Sequence, residues 1–243
     1  TGSIRLTGAG DVAQLPGFRD GEWWVQDAAA ALPARLLGDV AGKRVFDLCA
    51  APGGKTLQLA AAGARVIALD VRGPRLKLVA ENLARTGLVA ETVKADLLDW
   101  SPDERADAIL LDAPCSASGI ARRHPDILRS RREEEIEPLA ALQAKMIDKA
   151  VSLLAEGGLL VYATCSLLPE EGERQIDAAL KRHPGLSRVP IAAEEIGGLA
   201  EALTRAGDLR TLPSFWPGRG GMDGFFAARL RLESAGAVLN GSR

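Results

Sequence analysis

The feature that most constrains the fold is a glycine turn in the stretch VFDLCAAPGGKTLQL at residues 45–59. The first part is an apolar run typical of a buried strand, residues 52–54 interrupt it, and residues 56–62 favour a helix that ends at Gly63. This order predicts a strand, a tight turn and a helix. Because glycine has no Cβ, the turn exposes backbone N–H groups at the positive end of the helix, where a carboxylate or a phosphate binds well.

A second apolar run at residues 65–69 ends in Asp70. In doubly wound nucleoside-binding folds, an acid at the end of the second strand accepts hydrogen bonds from a ribose. Neither phosphate-binding pattern is complete, because a P-loop requires glycine where Cys49 stands and no GxGxxG is present. We therefore predict a cofactor without phosphates. S-adenosylmethionine fits, with its carboxylate near the turn, its ribose on Asp70 and its adenine near Asp96.

Strand and helix patterns alternate along the chain. Further strands are predicted at residues 91–96, 107–111, 158–163 and 224–232, and helices at 28–37, 74–86, 134–154 and 169–182. Alternating units of this kind predict an α/β, doubly wound, mainly parallel sheet with helices on both faces. We expect residues 1–40 to form an extension that packs on the core, residues 41–233 to form one domain, and residues 234–243 to form a flexible tail.

Composition excludes several classes of protein. The 243 residues are 47% hydrophobic and 26% charged, which is ordinary for a soluble globular protein. The net charge of −2 argues against coating nucleic acid by bulk charge, although residues 119–132 contain five arginines and one aspartate. We find neither a membrane span nor a signal peptide, so we expect a cytoplasmic protein, and a monomer. Three widely spaced cysteines and two histidines suggest neither a disulfide framework nor a metal site.

Two cysteines follow predicted strands, Cys115 in the sequence DAPCS and Cys165 in ATCS. A buried structural cysteine is the ordinary interpretation of either one alone. Together, next to Asp112, they fit methylation at carbon 5 of cytosine. That carbon is not nucleophilic by itself, so the reaction needs a thiolate that adds to carbon 6. Asp112 would hydrogen-bond the exocyclic amine and ring N3 of the base.

Four motifs together resemble those of the Sun-type RNA cytosine-C5 methyltransferases, most closely the bacterial RsmB-type 16S rRNA enzymes. The motifs are CAAPGGKT at residues 49–56, DAPCS at 112–116, RRHPDI at 122–127 and ATCS at 163–166. The resemblance extends over residues 16–230 and includes GMDGFF at 221–226. It implies a seven-stranded, Rossmann-like methyltransferase fold, S-adenosylmethionine as the cofactor, and RNA, most closely 16S rRNA, as the substrate.

The resemblance also assigns roles to residues. Cys165 is the nucleophile, and Cys115 assists release of the methylated product. The implied cofactor site comprises Cys49, Ala50, Ala51, Pro52, Gly53, Gly54, Lys55, Asp70, Arg75, Asp96 and Asp112, and Asp112 also faces the base. Arg122 and Arg123 directly follow the catalytic loop and are candidates for phosphate contacts. In bacterial members a helical RNA-binding domain usually precedes this unit, and these 243 residues do not include it.

Two other functions remain open from the sequence. In the first, the chemistry is the same, DNA is the substrate and Cys115 is the nucleophile. In the second, the chain is a catalytically silent RNA-binding or assembly module that keeps the fold. Lys55 has an open role as well, because a solvated lysine at a helix N-terminus is as good an interpretation as one that faces the cofactor or the substrate.

Overall fold

A mixed sheet forms the centre of the computed structural model, which describes residues 3–6, 8, 10–130 and 132–234. Its strands are β1 (Arg44–Leu48), β2 (Arg65–Asp70), β3 (Glu91–Lys94), β4 (Ala106–Asp112), β5 (Leu154–Thr164), β6 (Leu186–Arg188), β7 (Leu209–Thr211) and β8 (Phe225–Leu232). The order is β3-β2-β1-β4-β5-β8-β6, and β7 also pairs with β8. Strands β1 to β5 are parallel, and β8 runs antiparallel to its neighbours. The doubly wound, mainly parallel sheet is confirmed, with eight strands in the described residues where seven were predicted.

Helices connect the strands. They are α1 (Leu32–Arg35), α2 (Gly54–Ala61), α3 (Gly73–Thr86), α4 (Ile127–Ser130), α5 (Ile136–Leu153) and α6 (Glu173–Arg182). Of the helix predicted at 28–37, only α1 is present. Asp27 accepts a hydrogen bond from the Ala29 amide and holds the residues between Asp27 and α1 in turns. The helix predicted from Pro169 is interrupted at Gly172, between a 3-10 turn and α6.

Strand β5 shows how the sheet is buried on both faces. Val161 packs into one apolar cluster, with Leu59 of α2, while the next residue, Tyr162, packs into another with Ile147 of α5 and Ile176 of α6. All five side chains are buried. Complete burial of a large apolar side chain contributes about 1.5–3 kcal/mol, so helices on both faces stabilise the same strand.

The residues before β1 contact the rest of the chain at several points. Arg85 of α3 donates a hydrogen bond to the carbonyl of Phe18 at 2.7 Å, and Asp27 accepts one from the Asp223 amide at 3.0 Å. The division into 1–40, 41–233 and 234–243 remains a prediction, and the predicted tail beyond Ser234 lies outside the described residues. Within the described ranges, no helix is long and apolar enough to cross a membrane.

Three loops meet at Gly119. Its amide donates to the carbonyl of Cys165 at 2.9 Å, and its own carbonyl accepts from the Gly224 amide at 2.8 Å. A Cβ on Gly119 would overlap the carbonyl oxygen of Gly224. Only glycine therefore lets the loops after β4 and β5 and the segment before β8 approach each other this closely.

We expect Gly119→Ala to lower the free energy of unfolding by about 1–3 kcal/mol, because backbone must move to admit the methyl group. The control is Gly218→Ala, which meets open space and has no positive φ, and should change stability by less than about 0.5 kcal/mol. Thermal or denaturant unfolding measures both. Equal stability of the two variants would contradict the close approach of the loops.

Candidate active site

The predicted site residues lie at the carboxyl ends of the parallel strands. The loop from Cys49 to Gly53 follows β1, with Gly54 and Lys55 beginning α2. Asp70 ends β2, Asp112 ends β4, Asp96 follows β3, Arg75 lies in α3, and Cys115 and Cys165 lie in the loops after β4 and β5. The sheet thus brings these elements to one edge, as expected for ligand sites in open α/β sheets.

The loop after β1 has an unusual backbone course. Cys49 has a φ of 64° and Gly53 a φ of 105°, both in the left-handed region. The Gly53 amide donates to the carbonyl of Ala50 at 2.8 Å, which closes a turn directly before α2. A Cβ on Gly53 would lie 3.2 Å from Cα of Val79 in α3, so glycine is needed for close packing as well as for its φ angle.

Asp70 and Arg75 hold this loop in place. Asp70 is almost fully buried, and its carboxylate accepts from the Ala51 amide at 3.2 Å and from the Arg72 amide at 2.9 Å. The Arg75 guanidinium donates to the carbonyl of Ala51 at 2.5 Å. Asp96, in contrast, is exposed and accepts a hydrogen bond from the Leu98 amide in the turn after β3. Direct contact of Asp70, Arg75 and Asp96 with a cofactor remains a prediction.

Lys55 is not a solvated lysine. It is 9% exposed, its Nζ donates to Oδ2 of Asp112 at 2.7 Å, and it lies 5.0 Å from the ring centre of Phe225. Burial lowers the pKa of Lys55, but the charge and hydrogen bond of Asp112 and the charge of Asp47 act together in the opposite direction, so the pKa is raised and the ammonium keeps its proton. The charged pair fixes the direction of the Asp112 side chain at the end of β4.

Asp47 is a site residue that the sequence did not indicate. It is completely buried in β1, and its Oδ2 accepts a hydrogen bond of 2.6 Å from the Thr56 hydroxyl. The other oxygen, Oδ1, has no hydrogen-bond partner in the part of the chain that the structure describes. Burial raises the pKa of Asp47 to about 7, against the opposing effects of Thr56 and Lys55. The only sequence signal was an acid within an otherwise apolar strand.

Cys115 and Cys165 face each other with 3.4 Å between their Sγ atoms. The hydrogen bond with Cys165, followed by burial, raises the pKa of Cys115 well above its usual value. Cys115 therefore carries its proton at neutral pH. Burial also raises the pKa of Cys49, which makes it an unreactive thiol within the glycine loop.

Arg122 and Arg123 form ion pairs with acidic residues. Arg123 donates to Oδ1 of Asp223 at 3.1 Å and to Oδ2 at 2.5 Å. Arg122 donates to Asp27 at 3.0 Å and to Asp223 at 3.3 Å. Asp223 is buried, whereas the Arg123 side chain is 44% exposed. The pairs join the N-terminal residues to the segment before β8, and phosphate binding by the two arginines remains a prediction.

Within the described residues, no group of three or more His, Cys, Asp or Glu side chains is arranged to hold a metal ion. The site consists instead of a glycine loop, acids at the ends of β2 and β4, and two adjacent thiols. With the sheet order, these features define a Rossmann-like methyltransferase.

Comparison with known proteins identifies the family. A family model described as 16S rRNA methyltransferase RsmB/F matches residues 34–231, and the chain belongs to this family. Ribosomal RNA small subunit methyltransferase B of Serratia proteamaculans is 44% identical over 233 residues, which cover 94% of this chain and 51% of that protein. The enzyme of the same name from Pseudomonas putida is also 44% identical, with 93% and 51% covered. The chain spans about half the length of these curated relatives.

Solved structures agree with this assignment. NSun6 from Pyrococcus horikoshii, solved with SFG, has a TM-score of 0.76 and 30% identity, covering 92% of this chain and 56% of that chain. A methyltransferase homolog protein from the same organism has a TM-score of 0.75 and 30% identity, covering 90% of this chain and 71% of that one. The resemblance stated from the motifs is confirmed at the level of the family.

The raised pKa of Asp47 predicts a pH-dependent stability. The folded protein binds this proton more tightly than the unfolded chain, so the contribution to stability is complete below the ordinary pKa of 3.8 and is lost as the pH rises to about 7. Asp47→Asn removes this titration. We expect the stability of wild type relative to the variant to fall between these pH values, by at most about 1.4 kcal/mol per pH unit.

Denaturant unfolding at several pH values measures this difference. Asp99→Asn, at an exposed position in the turn before Trp100, is the control and should leave the pH dependence of wild type unchanged. A constant difference between wild type and Asp47→Asn from pH 4 to pH 7 would contradict the buried, titrating carboxyl group.

Proposed function

We propose that this chain transfers a methyl group from S-adenosylmethionine to carbon 5 of a cytosine in RNA, and that the RNA is 16S rRNA. The observation that carries the proposal is the pair of thiols, Cys115 and Cys165, with their sulfur atoms 3.4 Å apart beside the Lys55–Asp112 pair. The names of the relatives support the choice of ribosomal RNA. We also propose that the chain acts in the cytoplasm and as a monomer.

The residues present fit the proposed cofactor. The first backbone N–H groups of α2 have no partners within the helix and favour a carboxylate, and no Cβ at Gly53 or Gly54 blocks the approach to them. Each Asp70 oxygen accepts one backbone N–H and has a second lone pair available for a ribose hydroxyl. When bound, the cofactor supplies an electrophilic methyl group.

The two thiols would act in sequence. The thiolate of Cys165 adds to carbon 6 of the cytosine, and the electrons of the C5–C6 double bond make carbon 5 nucleophilic. Asp112, held by Lys55, hydrogen-bonds the exocyclic amine and N3 of the ring. After methyl transfer, Cys115 removes the proton from carbon 5, the double bond forms again, and the C6–S bond breaks with its electron pair returning to Cys165.

The charge state of Cys115 changes during this cycle. In the resting site its pKa is raised, first by the hydrogen bond with Cys165 and then by burial. Once the sulfur of Cys165 is bonded to carbon 6, it carries no charge and accepts a hydrogen bond poorly. Loss of that hydrogen bond removes the largest cause of the raised pKa of Cys115 and brings the pKa closer to its ordinary value, which favours the thiolate that the elimination step requires.

Arg122 and Arg123 are proposed to contact RNA phosphates. A guanidinium has five N–H donors, and those not directed at Asp27, Asp223 or the Gly220 carbonyl would contact a phosphate. The partial exposure of the Arg123 side chain supports this role. The ion pairs would then hold both arginines in a fixed direction next to the catalytic loop.

The cofactor proposal predicts the effect of changing Asp70. Asp70→Asn should weaken S-adenosylmethionine binding by about 1.5–3 kcal/mol, the range for a lost charge-assisted hydrogen bond. Isothermal calorimetry measures this, with Glu91→Ala at the opposite, exposed end of the sheet as the control. Unchanged affinity in Asp70→Asn would remove this residue from the cofactor site.

The order of the thiol steps predicts opposite effects of two substitutions. With 16S rRNA and a labelled methyl donor, Cys165→Ala should abolish both methylation and the covalent protein–RNA complex. Cys115→Ala should accumulate that complex, because the elimination step fails. Its accumulation should require the methyl donor and disappear in the double variant. Denaturing gel electrophoresis detects the complex.

Three other results would select one of the two other functions. A covalent complex in Cys165→Ala and none in Cys115→Ala would reverse the two roles and favour the arrangement proposed for DNA. Methylation of DNA in preference to RNA would do the same. RNA binding by the wild-type chain without any methyl transfer would indicate a binding module.

A further inference from the structure

A buried acid, Glu171, lies directly behind the loop that carries Cys115. Glu171 ends the 3-10 turn Pro169–Glu171 and is completely buried. Its Oε1 accepts from the Ser116 amide at 2.9 Å, and its Oε2 accepts from the Ser116 hydroxyl at 2.5 Å. The carboxylate therefore binds both the backbone and the side chain of the residue that follows Cys115.

Gln143 of α5 extends this contact to the other side of Cys115. Its amide nitrogen donates to Oε1 of Glu171 at 3.0 Å and to the carbonyl of Pro114 at 2.9 Å. The Tyr162 hydroxyl lies 2.9 Å from the Glu171 carbonyl oxygen and 3.2 Å from the Gln143 side-chain oxygen, and the two acceptors of the Gln143 nitrogen fix the orientation of the amide. The residues on both sides of Cys115 are thus held by one buried hydrogen-bond network.

The same network reaches the loop that carries Cys165. The hydroxyl of Ser116 lies 3.2 Å from that of Ser166, which directly follows Cys165. The Ser166 hydroxyl in turn accepts from the Leu168 amide at 3.0 Å. Glu171 therefore connects, through Ser116, the two segments that bring the thiols together.

Packing alone does not explain an acid at this position. The donors that surround the Glu171 carboxylate are an amide N–H, a hydroxyl and a side-chain amide, all of them neutral. Burying a carboxylate among neutral groups costs stability, and only its hydrogen bonds offset that cost. These three converging donors require a side chain with two acceptor oxygens and no donor, which is a carboxylate.

We propose that Glu171 is a positioning residue that holds Cys115 for the removal of the carbon 5 proton. The proposal rests on the proposed function. Cys115 lies in an irregular loop three residues after β4, whereas Cys165 directly follows β5. Loss of the Glu171 contacts therefore displaces Cys115 more than Cys165, and slows release of the methylated RNA more than formation of the covalent complex.

The test compares wild type with Glu171→Gln, which keeps the size of the side chain and removes one acceptor. In the presence of 16S rRNA and labelled methyl donor, we expect steady-state turnover to fall by about tenfold or more. Methyl transfer in a single turnover should stay within about threefold of wild type, and a denaturant-resistant protein–RNA complex should accumulate. Glu170→Gln is the matched control, because the adjacent Glu170 is partly exposed and pairs with Arg174.

A second variant guards against loss of folding. Ser116→Ala removes the hydroxyl and with it the contacts to Glu171 Oε2 and Ser166, keeps the backbone bond to Glu171, and should produce a smaller accumulation of the same complex. The proposal is overturned if Glu171→Gln and Ser116→Ala lose steady-state turnover and single-turnover methyl transfer equally and neither variant accumulates the complex. If wild type transfers no methyl group and Cys115→Ala also forms no complex, the proposed function fails and this proposal fails with it. If Cys115→Ala accumulates the complex but Glu171→Gln and Ser116→Ala do not, only the role of Glu171 is overturned.

Discussion

The parallel pairing of β1, β4 and β5 is the constraint on which the site depends. Leu48 pairs with Leu111, and Leu111 pairs with Tyr162, so the strands end almost level. The residues that follow them therefore meet at one edge. A slip of one residue would turn every side chain of a strand to the other face, where the helices are packed against side chains of different size. The apolar clusters on both faces exclude such a slip, and in this way packing determines where the chemistry occurs.

Buried charges then define the site within that edge. Lys55 and Asp112 form an ion pair, whereas one oxygen of the buried Asp47 nearby has no hydrogen-bond partner among the residues that the structure describes. Isolated buried charges are costly, and a hydrophobic replacement would often be more stable. The hydrogen bond with Lys55 nevertheless fixes the direction of the Asp112 side chain at the end of β4.

Much of this architecture could be predicted from the sequence, because the βαβ pattern and the glycine turn are local signals. The strand ends with Asp70 and Asp112 were predicted correctly, whereas the pattern located neither β6 nor β7, because each has only three residues. The burial of Lys55 was not predictable, since a lysine after two glycines gives the same signal whether it is solvated or paired. Glu171 follows another glutamate, Glu170, and only the tertiary fold makes one buried and the other partly exposed.

The two thiols are chemically identical but are supported differently. Cys165 extends a strand whose hydrogen bonds continue to Thr164, so the sheet itself fixes its backbone. Cys115 lies beyond the last paired residue of β4, where the hydrogen bonds of the ladder no longer hold the chain. In the proposed mechanism the nucleophile lies at a strand end and the base lies on a loop, so the base must be held where the sheet gives no support. The buried network around Glu171 supplies that support from the opposite side of the loop.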